Sequence, residues 1–174
     1  MATNFDNLSM SAPKDGKGGM RFQNLFGEDG PLCIKAEGKI VYEPSVYNGT
    51  GLEERKNIVL TIDEDTAKKI EELERWTRLQ AGVSEDKWNS CVKRADGPRL
   101  KAKINVAGSK RCDFVGPDGV REPPAELRGR TATVALLVRG IYMQRSAAGL
   151  MVDVVAMKYG EATREEAPYL RMVM

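Results

Sequence analysis

The chain has 174 residues, of which 41% are hydrophobic and 30% are charged; this balance allows one domain with a hydrophobic core and excludes global disorder. It has no histidine, and its formal net charge of +2 indicates no partner by itself. Without histidine, the commonest general base and metal ligand are missing. The three widely spaced cysteines are typical of reduced thiols. The sequence has no apolar run of membrane-spanning length and no secretory signal. We therefore expect an intracellular protein, in the cytoplasm or at a nuclear or viral replication site.

The N-terminal region, residues 1–30, predicts a flexible arm, because glycine and lysine are frequent there and β-branched residues are rare. Strand patterning begins at Pro31. Residues 32–41 and 57–62 are rich in alternating β-branched and apolar residues, which is typical of half-buried strands. The loop between these two strands carries Tyr42 and Tyr47.

The pattern then changes to that of a helical insert over residues 63–95. Asp63 is placed to cap a helix, and an apolar stripe at helical spacing follows it. Gly82 predicts the end of this helix, and Ser84 predicts the start of a second short one. Trp76 and Trp88 lie on these amphipathic segments, where burial in the core is their commonest role.

Strands resume at Arg99 and continue to about residue 160. Residues 99–106 alternate polar side chains, which are basic except for Asn105, with apolar ones, and a Pro-Asp-Gly turn follows at 117–119. Residues 131–143 and 150–159 predict a long β-hairpin, in which Gly140 indicates a bulge or a sharp bend. The order of elements predicts a mostly β (α+β) domain over residues 31–160, a barrel with a helical insert, followed by a C-terminal tail at 161–174.

The sequence contains few signals of a catalytic site. The nucleotide-binding, zinc-protease and serine-hydrolase motifs are missing from the sequence, so we expect no enzyme, no metal and no cofactor. A weaker alternative is a small enzyme using Asp113, Asp118 or Asp153. That reading requires these carboxylates to converge in a pocket, whereas turn preference explains Asp118 and strand alternation places Asp153 on an outer face.

The most informative feature is a basic stretch from Lys93 to Arg111, which carries seven basic residues against the single acid Asp96. Strand alternation places Arg99, Lys101 and Lys103 on one face at a spacing of about 6.6 Å, close to that of phosphates along an extended nucleic-acid strand. The ordinary alternative is the solvated face of a surface strand. The predicted phosphate contacts are Arg99, Lys101, Lys103, Lys110 and Arg111.

Aromatic side chains supply candidates for base stacking, which is tolerant of sequence. Tyr47 lies in the first long loop, Phe114 follows the basic strand, and Tyr142 closes the first arm of the long hairpin. Burial in the core is an equally good explanation for Phe114 and Tyr142.

Residues 100–159 resemble the second half of the OB-fold single-stranded-DNA-binding proteins of bacteriophages and large DNA viruses, and residues 30–160 do so more loosely. The resemblance rests on the basic strand at 99–106, the Asp118-Gly119 turn, the glycine-bounded strand at 129–142 and Gly149 before the last strand. It implies a five-stranded OB-like barrel that binds single-stranded DNA in replication or recombination, with RNA as a further possible ligand.

The chain departs from that family at its C-terminus. Members often end in a strongly acidic tail with a terminal aromatic residue, whereas residues 161–174 mix acids with Arg164 and Arg171 and end on Met174. The apolar end of this tail suggests docking on a second copy of the chain. The alternative function is a structural or assembly protein without a nucleic-acid groove. Assembly is favoured if Lys101 and Lys103 pair with acids of the helical insert, such as Glu71 or Glu74; an open groove favours binding.

Overall fold

The computed structural model describes residues 7–44 and 55–161. Within these ranges it contains ten strands, one α-helix and short 3₁₀ turns at 17–19, 85–87 and 117–119. The elements are β1 (Ser9–Met10), β2 (Lys14–Asp15), β3 (Arg21–Gly27), β4 (Gly30–Lys39), β5 (Arg55–Thr61), α1 (Glu64–Ala81), β6 (Val92–Arg94), β7 (Pro98–Asn105), β8 (Asp113–Val115), β9 (Thr131–Met143) and β10 (Ala148–Tyr159).

Five of these strands form the barrel, in the spatial order β4–β9–β10–β7–β5. All neighbours are antiparallel except β10 and β7, which run parallel. Among the described residues β5 and β4 form no continuous ladder. They are joined by a bridge between Ile40 and Leu60, by the Val41 N–H bond to the carbonyl of Val59 at 2.9 Å and by the Lys39 N–H bond to Thr61 Oγ1 at 2.8 Å. This partly open Greek-key arrangement is an OB-type barrel, so the predicted fold is confirmed. No helix in the described part of the chain is long and apolar enough to cross a membrane.

The core forms because alternate residues of each barrel strand point inward. On β7 the inward residues are Leu100, Ala102 and Ile104, so the basic residues of this strand point outward, as predicted. On the long hairpin the bulge near Gly140 is confirmed, because the register of β9 and β10 shifts between Met151 and Val152.

The N-terminal region differs from its prediction. Residues 21–27 form β3, and Leu25 on this strand is 1% exposed within the core. The strand β9 is long enough to pair with β4 over residues 131–138 and with β3 over residues 140–143. The part of the predicted arm that lies at 21–27 is therefore an integral strand, held by backbone pairing to residues about 120 positions later in the chain.

The helical insert follows its sequence signals at both ends of α1. The Asp63 carboxylate accepts a hydrogen bond from the Thr66 N–H at 2.7 Å, and Gly82 adopts a left-handed φ of 70° at the C-cap. The second predicted helix is only the three-residue turn at 85–87, and residues 92–94 form β6, which pairs with β7. The insert therefore returns to the barrel beside the basic strand.

Candidate nucleic-acid interface

A groove of about 530 Å³ opens on the outer face of the barrel where β5, β6 and β7 meet the beginning of β10. Among the residues that the structure describes, its lining contains no aspartate or glutamate. The lining residues are Met20, Phe22, Arg55, Asn57, Asn89, Ser90, Cys91, Lys93, Lys101, Ala102, Lys103, Tyr142, Gln144, Leu150, Met151 and Val152.

One wall of the groove is basic. Lys101 and Lys103 project from β7, and the strands paired with β7 add Arg55 from β5 and Lys93 from β6. These four cations come from three strands, and their side chains share one outer surface. Because an extended polyanion is neutralised by cations spaced along a groove, this wall is suited to a phosphate backbone.

The facing wall is apolar and aromatic. Phe22 on β3 and Tyr142 on β9 are directly paired across the strands, and Tyr142 is in turn paired with Gly149 on β10. Both rings rest on glycine. A Cβ added to Gly149 would lie 3.0 Å from the Tyr142 ring, and one added to Gly16 would lie 2.2 Å from that of Phe22. The glycines thus allow the backbone to approach the rings closely and leave a pair of aromatic side chains beside the basic wall.

Lys103 is partly buried within this cluster and donates a hydrogen bond to the Asn57 carboxamide. Burial lowers the pKa of Lys103, and the nearby charges of Lys101 and Arg55 lower it further, while Asp153 opposes this effect. Like charges therefore accumulate here at a cost in electrostatic energy. A bound anion would offset that cost.

The segment at 88–91 adds Asn89, Ser90 and Cys91 to the groove lining. It is bridged to β10 at Ala148 and to β7 by the Lys101 N–H bond to the Cys91 carbonyl, and it is held by the buried residue Glu74. The Glu74 carboxylate accepts hydrogen bonds from Trp88 Nε1 at 3.0 Å, Ser90 Oγ at 2.6 Å and the Cys91 N–H at 3.1 Å. Burial of this carboxyl raises its pKa despite the three donors. The helical insert thus contributes to the groove indirectly, by fixing the position of Asn89 and Ser90.

The predicted site residues divide between the groove and other surfaces. Lys101, Lys103 and Tyr142 line the groove. Arg99 lies outside the lining, where it donates to the Tyr42 hydroxyl at 3.4 Å and lies 3.9 Å from Asp96. Lys110 and Arg111 are exposed beyond β7, and Arg111 donates to Glu122 at 2.8 Å.

Of the other two stacking candidates, one is buried in the core and one lies outside the described residues. Phe114 is 0% exposed, so its assignment as a stacking residue is wrong. The strand β8 is paired with β10, and the alternation that exposes Asp113 points Phe114 into the core. Tyr47 lies outside the described residues.

Several groove residues were missed from the sequence. The sequence pattern places Arg55 in a loop and places Met20 and Phe22 in the flexible arm. The signal for Lys93 was present, since it begins the basic stretch, but the hairpin of β6 and β7 that brings it to the groove was not predicted. For Phe22 the only local signal was an aromatic residue in a glycine-rich segment.

The carboxylates considered for an enzyme do not line the groove. Asp118 is exposed in a turn with a φ of 59°, and Asp113 is exposed and lies 3.4 Å from Arg121. Asp153 points outward as predicted but is only 8% exposed, because Arg55 and Arg139 cover it.

The position of the groove is informative in an OB barrel. In chain order β5 and β7 are the second and third barrel strands, and Gln144 belongs to the connection between the last two. Oligonucleotides and oligosaccharides bind to this face of OB folds, between the loop that joins strands one and two and the loop that joins strands four and five.

Comparison with solved structures places the chain among proteins of this class of fold. It superimposes on gp2.5, a single-stranded DNA binding protein encoded by bacteriophage T7, with a TM-score of 0.56 and 13% identity, over 83% of this chain and 96% of that one. It also superimposes on the single-stranded DNA-binding protein from bacteriophage Enc34. The TM-score is 0.53 with the C-terminally truncated form and 0.54 with the complex with single-stranded DNA, each at 14% identity. The truncated form matches over 89% of this chain and 96% of that one, and the complex over 90% and 97%.

These likenesses show that the chain has the fold of the phage proteins. No protein-family model matches the sequence, and no curated protein matches it by sequence.

Proposed function

We propose that this protein binds single-stranded DNA with little dependence on sequence, and that it serves phage or viral DNA replication or recombination inside the host cell. The observation that carries the proposal is the groove itself, in which a basic wall faces an aromatic wall. Phosphates bind along Lys93, Lys101, Lys103 and Arg55, and bases stack on Tyr142 and Phe22. Stacking and phosphate contact read no base edge, so the binding is sequence-tolerant and involves no catalytic step.

The charge pairing of the insert supports binding over assembly. Glu71 accepts a hydrogen bond from Arg94 at 2.6 Å, and Glu74 is occupied by the segment at 88–91. Glu71 and Glu74 are thus engaged by Arg94 and by the segment at 88–91, while Lys101 and Lys103 line the open groove. Arg99, Lys110 and Arg111 extend the basic surface and are proposed as secondary phosphate contacts. The tail at 161–174, of which all but Glu161 lies outside the described residues, is proposed to join two copies of the chain.

Fluorescence anisotropy of a labelled oligo-dT, titrated at several salt concentrations beside a duplex of equal length, tests the proposal. We expect salt-sensitive binding that prefers the single strand. The double variant Lys101→Ala/Lys103→Ala is expected to weaken binding to all sequences alike and to lower the slope of log Kd against log salt by about 1.4, since each phosphate contact on a single strand contributes about 0.7. A labelled oligo-U of the same length measures whether RNA competes.

The matched control is Lys68→Ala/Lys69→Ala, which removes the same charge from exposed positions on α1. Equal loss of affinity in both double variants would mean that only the overall charge matters and that the groove is not the site. If the wild-type protein binds no oligonucleotide at low salt, the proposal fails, and self-assembly measured by sedimentation becomes the next question.

A further inference from the structure

An ion triad crosses the outer face of the barrel at one end of the groove. Asp153 on β10 accepts a hydrogen bond from Arg55 on β5 at 2.9 Å through one carboxylate oxygen, and from Arg139 on β9 at 3.1 Å through the other. Arg55 reaches over β7 to do so, because β7 lies between β5 and β10 in the sheet. The triad therefore ties together strands from both sides of the basic strand.

The exposure of the three side chains is unequal, and this difference suggests their roles. The Asp153 side chain is 11% exposed, whereas those of Arg55 and Arg139 are 38% and 49% exposed. A guanidinium group carries five N–H donors in a rigid fork, and each of these arginines has a single hydrogen bond to the carboxylate. Both therefore retain N–H donors that face solvent, while the carboxylate is covered.

We propose that Asp153 is a positioning residue that holds Arg55 and Arg139 as a fixed pair of phosphate-binding forks, which extends the phosphate path from the basic strand across to β9. The proposal rests on the proposed binding of single-stranded DNA. An arginine that is free in solution loses rotamer entropy when it binds a phosphate, and an arginine already fixed by a carboxylate loses less. The forks suit phosphate because two parallel N–H groups match two phosphate oxygens.

The test is Asp153→Asn, which keeps the shape of the side chain but removes its charge and one of its two acceptor oxygens. We expect about tenfold weaker binding of labelled oligo-dT, the loss expected for a charged hydrogen bond. We also expect a fall of about 0.7 to 1.4 in the slope of log Kd against log salt, because one or both forks stop contacting phosphate. A defect that is only structural would lower the fraction of active protein without changing this slope.

Asp113→Asn is the matched control, since it removes an aspartate from an exposed ion pair with Arg121 outside the groove lining. In a background of Arg55→Gln/Arg139→Gln, the Asp153→Asn change is expected to have no further effect on the slope. Binding by folded Asp153→Asn that is equal to or tighter than that of the wild type overturns the proposal. The wild-type protein is measured in the same titration. If it binds oligo-dT, that result overturns only the role of Asp153; if it does not bind, the proposed function itself fails.

A second variant keeps the proposal testable if Asp153→Asn does not fold. Arg139 is half-exposed and lies outside the groove lining. Arg139→Gln alone is expected to reduce the salt slope by about 0.7. An unchanged slope in that variant overturns the proposal, because the phosphate path then ends at β7.

Discussion

Strands β7 and β3 supply opposite walls of the groove, and the sequence encodes them in different ways. On β7 a strict alternation of basic and apolar residues marks both the strand and its exposed face. On β3 most residues are partly buried and show no alternation; this strand pairs with the end of β9, and only Leu25 among its side chains is fully buried in the core. The basic wall can be predicted from residues that are close together in the chain. The aromatic wall forms only when β3 pairs with a strand about 120 residues later.

Substitution of Gly140 is expected to have the largest effect, because a larger residue there would move the aromatic wall on β3 away from the basic wall. Gly140 on β9 has a φ of 149°, and an added Cβ would lie 1.9 Å from the carbonyl oxygen of Gln23 on β3. Gly140→Ala should therefore displace β3 and lower the free energy of unfolding by roughly 2–4 kcal/mol, measured by denaturant titration.

Gly18→Ala is the matched control for that experiment. Gly18 also has a positive φ, of 66°, but no atom lies within 4 Å of an added Cβ. Its expected cost is about 1–2 kcal/mol, from backbone strain alone. Equal effects of the two variants would show that the close contact between β9 and β3 is not what restricts position 140 to glycine.

Substitution of Phe22 tests the aromatic wall without disturbing the basic one. Phe22→Ala is expected to weaken binding of oligo-dT by roughly 1–3 kcal/mol, the contribution of one stacked base, with an unchanged salt slope because no phosphate contact is lost. Phe26→Ala is the control on the same strand, since Phe26 is 39% exposed and lies outside the groove lining. A changed salt slope in Phe22→Ala, or an equal loss in Phe26→Ala, would contradict the assignment of the two walls.

The smallest expected effect is on the stability of the protein without ligand, when the charge of Lys103 is removed from the basic wall. The pKa of Lys103 is lowered in the folded protein from its ordinary value of 10.5, so the native state binds this proton less tightly than the unfolded state does. The unfavourable contribution of Lys103 to stability is thus fully present at neutral pH and disappears as the pH rises through its folded pKa towards 10.5.

Lys103→Gln is therefore expected to increase stability slightly at pH 7, while it weakens DNA binding. The gain over the wild type should shrink as the pH approaches 10.5, and it can be measured as the difference in denaturation midpoint across that range. A gain that is constant with pH would show that packing, not charge, is responsible.

The sequence was sufficient for the parts of the molecule that follow local rules. The cap at Asp63, the stop at Gly82 and the alternation on β7 depend on residues close together in the chain, and all are found in the structure. The same alternation would have placed Phe114 in the core, since its neighbour Asp113 faces outward. A position next to the basic strand does not expose a side chain that strand alternation turns inward.

The remaining site residues could not be predicted because their positions depend on long-range pairing. Arg55 becomes a groove residue only when β5 pairs with β7, and Phe22 only when β3 pairs with Tyr142 on β9. Nothing in the residues beside them indicates the partner strand. The barrel can therefore be predicted from one sequence, while the groove residues that other strands supply cannot.

The pairing of β3 with the end of β9 also has a consequence for protein synthesis. Residues 21–24 reach their native partners only after residues 140–143 have left the ribosome. Domains fold as units during translation, and contacts between residues far apart in sequence are slow to form. The two groove walls thus come together only after the long hairpin has been synthesised, so a nascent chain on the ribosome carries the basic segment well before it can present a complete binding surface.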